Sequence, residues 1–204
     1  MGAKKTASDG SKRAWQRMLS GRRLDLLDPS PLDVEIEDIA QGLSRVARWN
    51  GQTVGEWAFS VAQHSLLVEQ IAGRFRPGWP ARWRLATLLH DAPEYVVGDL
   101  ITPFKAAVGR DYKQLEARLL TAIHLRFSLP AELPKDVSAT IKRADVAAAF
   151  LEATQLAGFA EREAGRIFGR PRGLPRIELT PWPPVEAQRR FLQRYRSLAH
   201  QMGL

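Results

Sequence analysis

The sequence contains no cysteine. That removes disulfides, thiolate metal sites, iron–sulfur clusters and cysteine nucleophiles together. No segment approaches the ~18 to 20 apolar residues needed to span a bilayer, so a membrane role is not expected. The start carries Lys4, Lys5, Lys12 and Arg13 without a following apolar core, so it does not read as a secretory signal. A cytoplasmic location is the expectation. Zinc-finger spacing and RNP-like aromatic motifs are missing as well, which leaves nucleic acid a minor alternative partner. There is no internal repeat and no low-complexity tract.

What is present is ordinary globular composition: 204 residues, 45% hydrophobic and 25% charged. That length suits one domain with an appendage and a core that needs no covalent staples. The expected division is residues 1–30 as an N-terminal extension, partly disordered, and 31–204 as a single domain. The net charge of +8 favours anionic partners such as nucleotides.

The periodicity is helical throughout. A short helix is expected over 36–44. Ser60 and Gln63 form a capping-box pattern ahead of a helix whose apolar face carries Val61, His64, Val68 and Ile71. Pro80 suits a first helical position, and Leu85, Leu88 and Leu89 face inward until His90–Asp91. Leu115, Leu119, Ile123 and Phe127 lie on one face of the next helix. The longest helical run is expected over 135–166, apolar nearly all round its middle. Residues 169–184 (GRPRGLPRIELTPWPP) hold five prolines and read as an irregular strap. A last amphipathic helix carries Phe191, Tyr195 and Leu198. The fold class is all-α, with no confident sheet.

Several positions are anomalous for such a core. His64 lies on an apolar stripe, His90–Asp91 closes an apolar helix, and Asp145 sits inside one without an evident local cation. Buried aspartate is rare unless paired or bound to metal. Each has a bland explanation alone. Together, two imidazoles and two carboxylates can ligate one divalent metal with positions open to water. A nitrogen and oxygen set suits Mn, Co, Mg, Fe, Ni or Zn. Of the four histidines only His124 and His200 remain, so a second histidine-rich site is not expected.

The order His64, His90–Asp91, Asp145 on successive helices resembles the HD superfamily of metal-dependent phosphohydrolases. Residues 90–105, HDAPEYVVGDLITPFK, resemble the block HDA-x-E-x-x-x-GDL-x-TP-x-K of bacterial HD-domain 5'-deoxyribonucleotidases. SRVARW (44–49), VAQHSL (61–66) and KRADVAAAFLEA (142–153) resemble other segments of that branch. The resemblance covers roughly 36–165. It implies an HD-domain helical bundle, here with an N-terminal extension and a Pro-rich strap before a C-terminal helix. By the same resemblance His64, His90, Asp91 and Asp145 are metal ligands for one divalent ion. Arg48 holds the substrate phosphate and Trp49 shapes the sugar pocket. Glu94 handles the proton of the attacking water or the leaving group, and Asp99 is a second catalytic or positioning carboxylate. Thr102 and Lys105 contact phosphate.

The activity so implied is hydrolysis of deoxyribonucleoside 5'-monophosphates to nucleoside and phosphate. Two alternatives stay open: a deoxynucleoside triphosphate triphosphohydrolase on the same site, and a non-catalytic nucleotide- or nucleic-acid-binding HD module. Tyr95 stands where guanosine polyphosphate hydrolases carry a second acid, which argues against that activity. Residues 50–60 do not match the nucleotidases, so base and sugar preference stay open. Family habit and the amphipathic last helix suggest a homodimer. Trp57, Trp79, Trp83 and Trp182 read as packing.

Overall fold

Serine and proline at segment boundaries stand at most helix starts, and apolar stripes set the faces that meet. In the computed structural model, which describes residues 14–100 and 110–204, the helices run in this order. They are α1 (Ile36–Leu43), α2 (Val61–Phe75), α3 (Ala81–Leu88), α4 (Glu94–Val97), α5 (Arg110–Arg126), α6 (Lys135–Gln155), α7 (Glu161–Ile167) and α8 (Pro184–Met202). A small antiparallel hairpin, β1 (Trp15–Arg17) and β2 (Arg23–Asp25), precedes them, with Gln16 opposite Leu24. The architecture is therefore all-α with one short hairpin added.

α2 is the central helix. It packs against α6 on one side and against α3 and α8 on the others. Phe59, Val68, Ile71, Ala144 and Ala148 form the α2–α6 seam, all fully buried. The small alanines of α6 allow the two helices to approach closely. A larger cluster joins α1, α3, α5 and α8 through Ile39, Leu43, Leu88, Ile123 and Phe191. Leu24 of β2 is buried in that same cluster. The buried Asp38 accepts from the Ser20 N–H at 2.9 Å and its hydroxyl at 2.5 Å, pinning the hairpin to α1.

Two departures from the helical reading have local causes. The run expected over 135–166 breaks after Gln155, and α7 starts only at Glu161. Gly158 lies in the break with φ of 78°, a left-handed value that glycine adopts without strain. Ser60 does cap α2, its hydroxyl accepting from the Gln63 N–H at 3.3 Å. The Gln63 side chain does not return the bond. Its amide donates to the Thr180 carbonyl at 2.7 Å and accepts from the Trp182 N–H at 3.0 Å. Gln155 holds Ile177 and Leu179 in the same way, at 2.9 and 3.0 Å. The strap cannot form a helix or a ladder with so many prolines. Two glutamine side chains supply its backbone partners instead.

The apolar face of α8 lies against α1, α2 and α3 of its own chain. The amphipathic pattern that suggested a homodimer is thus accounted for within one chain. Trp79, Trp83 and Trp182 pack against the core, but Trp57 is 40% exposed and is not a packing residue.

Two features lock the scaffold around the site. Buried Glu69 of α2 receives Arg84 of α3 at 2.5 Å and Arg194 of α8 at 2.6 and 3.0 Å. Gly42 of α1 meets α4 so closely that a Cβ there would lie 2.7 Å from Tyr95 Cβ and 2.8 Å from its carbonyl oxygen.

Candidate metal centre

His64 occupies the first turn of α2 and is fully buried. Its Nδ1–H donates to Glu152 Oε1 at 2.5 Å, since a carboxylate only accepts. With Nδ1 so engaged, Nε2 is the ring atom left to take up a proton or a cation. Nε2 points to Asp91 Oδ2 at 3.3 Å and Asp145 Oδ1 at 3.4 Å. His90 lies in the turn after α3, where its Nδ1–H donates to the Thr87 carbonyl at 2.9 Å. Its Nε2 stands 3.2 Å from Asp91 Oδ2. Both Nε2 atoms are buried and neither makes a hydrogen bond. Ligand atoms of His64, His90 and Asp145 all lie within 4.8 Å of one another. Two imidazole nitrogens with fixed tautomers, facing carboxylate oxygens, fit one divalent cation by the chemistry of the donor set.

The electrostatics agree with that reading. Burial works to lower the His64 pKa, and Arg48 adds to this. Glu152, Asp145 and Asp91 outweigh both and hold the ring well above its ordinary value. Burial would raise Asp91 and Asp145, but the facing imidazoles pull both carboxyls below the usual carboxylate range. The cluster thus holds surplus negative charge ready for a cation. Lys142, three residues before Asp145, sits 2.8 Å from Asp145 Oδ2. The aspartate therefore does have a local cation, though one that is 74% exposed. A cavity of about 260 Å³ opens beside this cluster, lined by His90, Asp91, His124, Lys142 and Asp145 among others.

Arg48 and Trp49 approach the cluster from the opposite side of Glu152. The Ala47–Ser60 bridge and the Arg48 N–H donating to the Phe59 carbonyl at 2.8 Å pin this segment to the start of α2. Arg48 donates to Glu152 Oε2 at 3.3 Å and to Asp99 Oδ2 at 3.2 Å. Its burial disfavours the charge, but Glu152, Asp99, Asp91 and Glu94 more than restore it. Trp49 Nε1–H donates to Glu152 Oε2 at 2.9 Å. Trp49 and Asn50 both have left-handed backbones, with φ of 56° and 51°. For a bulky residue this costs about 1–3 kcal/mol. A hydrogen bond to a charged acceptor contributes about 1.5–3 kcal/mol, enough to offset it. Phe159 and Phe168 pack on the indole, with ring centroids at 5.7 and 6.0 Å.

No family model matches the chain. An uncharacterized protein of Rhodobacter capsulatus is 64% identical over 181 residues, covering 86% of this chain and 92% of that protein. The chain belongs to that protein's family. The family's fold has a solved counterpart in the HD phosphohydrolase DatZ of cyanophage S-2L, bound to dA and one catalytic Zn2+ ion. The match has a TM-score of 0.50 and 19% identity, and covers 81% of this chain and 96% of that one. The family member described here therefore has the HD-domain fold.

Of the residues expected from sequence, the fold brings together His64, His90, Asp91, Asp145, Arg48, Trp49 and Asp99. Glu94 opens α4 one turn beyond His90 and is buried. Thr102 and Lys105 lie outside the described residues. The sequence reading missed Glu152, which is fully buried. A signal for it existed. Glu152 follows Asp145 by seven residues, about two helical turns, so both share one face of an apolar helix. The argument that singled out Asp145 applies equally to it.

Proposed function

We propose that this protein is a metal-dependent phosphohydrolase that cleaves deoxyribonucleoside 5'-monophosphates to nucleoside and phosphate. The observation that carries the reading is the convergence of an imidazole–carboxylate cluster with a buried guanidinium. His64, His90, Asp91 and Asp145 hold one divalent cation. Bound there, such an ion acidifies water and draws charge from a phosphoryl group.

The chain's own residues do the rest. The Arg48 fork binds phosphate oxygens, exchanging the Asp99 carboxylate for the substrate as it does so. Held by Glu152 behind, it neutralises charge that builds on the phosphoryl oxygens. Glu94, buried beside the ligand turn, takes the proton of the attacking water and returns it to the departing 5'-oxygen. Asp99, released from Arg48, orients water or the sugar. The dA bound by the cyanophage protein supports a nucleoside-sized product.

The test uses metal-stripped protein and a panel of ribo- and deoxynucleoside mono- and triphosphates, with Mn, Co, Mg or Zn restored singly. Metal-dependent release of inorganic phosphate from deoxy monophosphates is the expected result. Triphosphate release from deoxynucleoside triphosphates would move the substrate class. No turnover with any metal would overturn the hydrolase reading and direct attention to nucleotide binding.

A further inference from the structure

Glu152 touches three groups that arrive from different parts of the chain. Its Oε1 accepts from His64 Nδ1 at 2.5 Å. Its Oε2 accepts from Trp49 Nε1 at 2.9 Å and Arg48 Nε at 3.3 Å. It is fully buried. One oxygen faces the ligand helix and the other faces the phosphate and sugar side. A carboxylate is needed in this position because all three neighbours donate. An amide has one accepting and one donating end, and can serve only one side.

We infer that Glu152 is a positioning residue that couples the metal centre to the substrate pocket. On the metal side it fixes the His64 tautomer and aims Nε2 at Asp91 and Asp145. On the substrate side it holds the left-handed Trp49 and the rear edge of Arg48. The two halves of the site are thus set by one carboxylate. Loosening it loosens both, although it contacts neither the cation nor the phosphate. The substrate half of this inference rests on the proposed function; the metal half does not.

The experiment compares wild type, E152Q and W49F in two measurements. The first is the dissociation constant for Zn2+ alone, by competition with a chelator, on metal-stripped protein. The second is kcat and KM for a deoxyribonucleoside monophosphate with the metal saturating. E152Q is expected to weaken Zn2+ binding about 10- to 100-fold and to raise KM as well. W49F is expected to raise KM while its Zn2+ constant stays within about 3-fold of wild type. Wild-type Zn2+ affinity in folded E152Q would overturn the inference. An equal loss of Zn2+ affinity in W49F would overturn it too, since the two sides would then not be separable through Glu152. If E152Q does not fold, E152D carries the same test, keeping the charge but withdrawing it by one methylene. Absence of turnover in wild type would defeat the functional reading and leave the Zn2+ comparison decisive for Glu152.

Discussion

Glu69 and Glu152 are both buried and both accept from cationic side chains, and they do different work. Glu69 joins α2 to α3 and α8 through Arg84 and Arg194. Its partners end there, and a glycine, Gly73, leaves room for the Arg84 guanidinium, which would meet a Cβ at 2.6 Å. Glu152 also gathers cations, but His64 presents an unpartnered nitrogen on the far side of its ring. A buried charge therefore does not mark a functional site. What sets Glu152 apart is the buried nitrogen beyond its partner, His64 Nε2, which faces the carboxylates of Asp91 and Asp145.

The sharpest way to break this contrast is to remove a ligand. Asp91→Ala is expected to reduce metal-dependent turnover by at least about 10³-fold while the protein stays folded, read by phosphate release and circular dichroism. Glu69→Ala is expected to do the reverse. Leaving two guanidiniums without their buried partner costs about 3–5 kcal/mol. At about 2–4 °C per kcal/mol for a chain of this size, the melting temperature falls by roughly 6–20 °C. kcat/KM measured well below that temperature is expected to stay near wild type. Lost activity in folded Glu69→Ala would erase the distinction.

Acid sharpens the contrast further. His64 and Arg48 draw the Glu152 carboxyl down to about 2, against the burial that would raise it, from an ordinary 4.5. A carboxyl depressed on folding contributes stability fully above its unfolded value, and that contribution is lost as pH falls through the folded one. Wild-type stability should therefore decline between about pH 4.5 and 2, and E152Q should show a shallower decline over that window. Denaturant midpoints across pH measure it. The smallest effect is expected at Lys142. Its exposed ion pair competes with a cation for Asp145 and is worth about 0.2–1 kcal/mol. Lys142→Ala should tighten Zn2+ binding by roughly 1.5- to 5-fold.

Much of this was legible in the sequence, for identifiable reasons. The helices around His64 and His90 announced themselves through apolar spacing and capping residues, and the structure has α2 starting after Ser60 as that pattern requires. The cluster of His64, His90, Asp91 and Asp145 was legible because polar residues on apolar faces are conspicuous. The break at Gly158 was not, since the flanking alanines and glutamates continue a good helical composition and one glycine is tolerated within a helix. Glu152 carried the same signal as Asp145, a carboxylate on one face of an apolar helix, but its partners His64, Arg48 and Trp49 lie about ninety or more residues away in sequence, and no spacing shows them. The left-handed backbone at Trp49 has no sequence signal either, because tryptophan gives no hint of that conformation.

Gly42 extends the reach of the site beyond its own residues. It bears no functional group, yet it sets how near α1 lets the turn carrying Tyr95 and Glu94 approach. Under selection for hydrolysis, this position would behave like an active-site residue and tolerate almost no replacement. A library that protected the ligand and phosphate-binding positions while randomising the rest would lose its active clones here. The hereditary constraint on this protein thus includes an empty place as well as its clustered side chains.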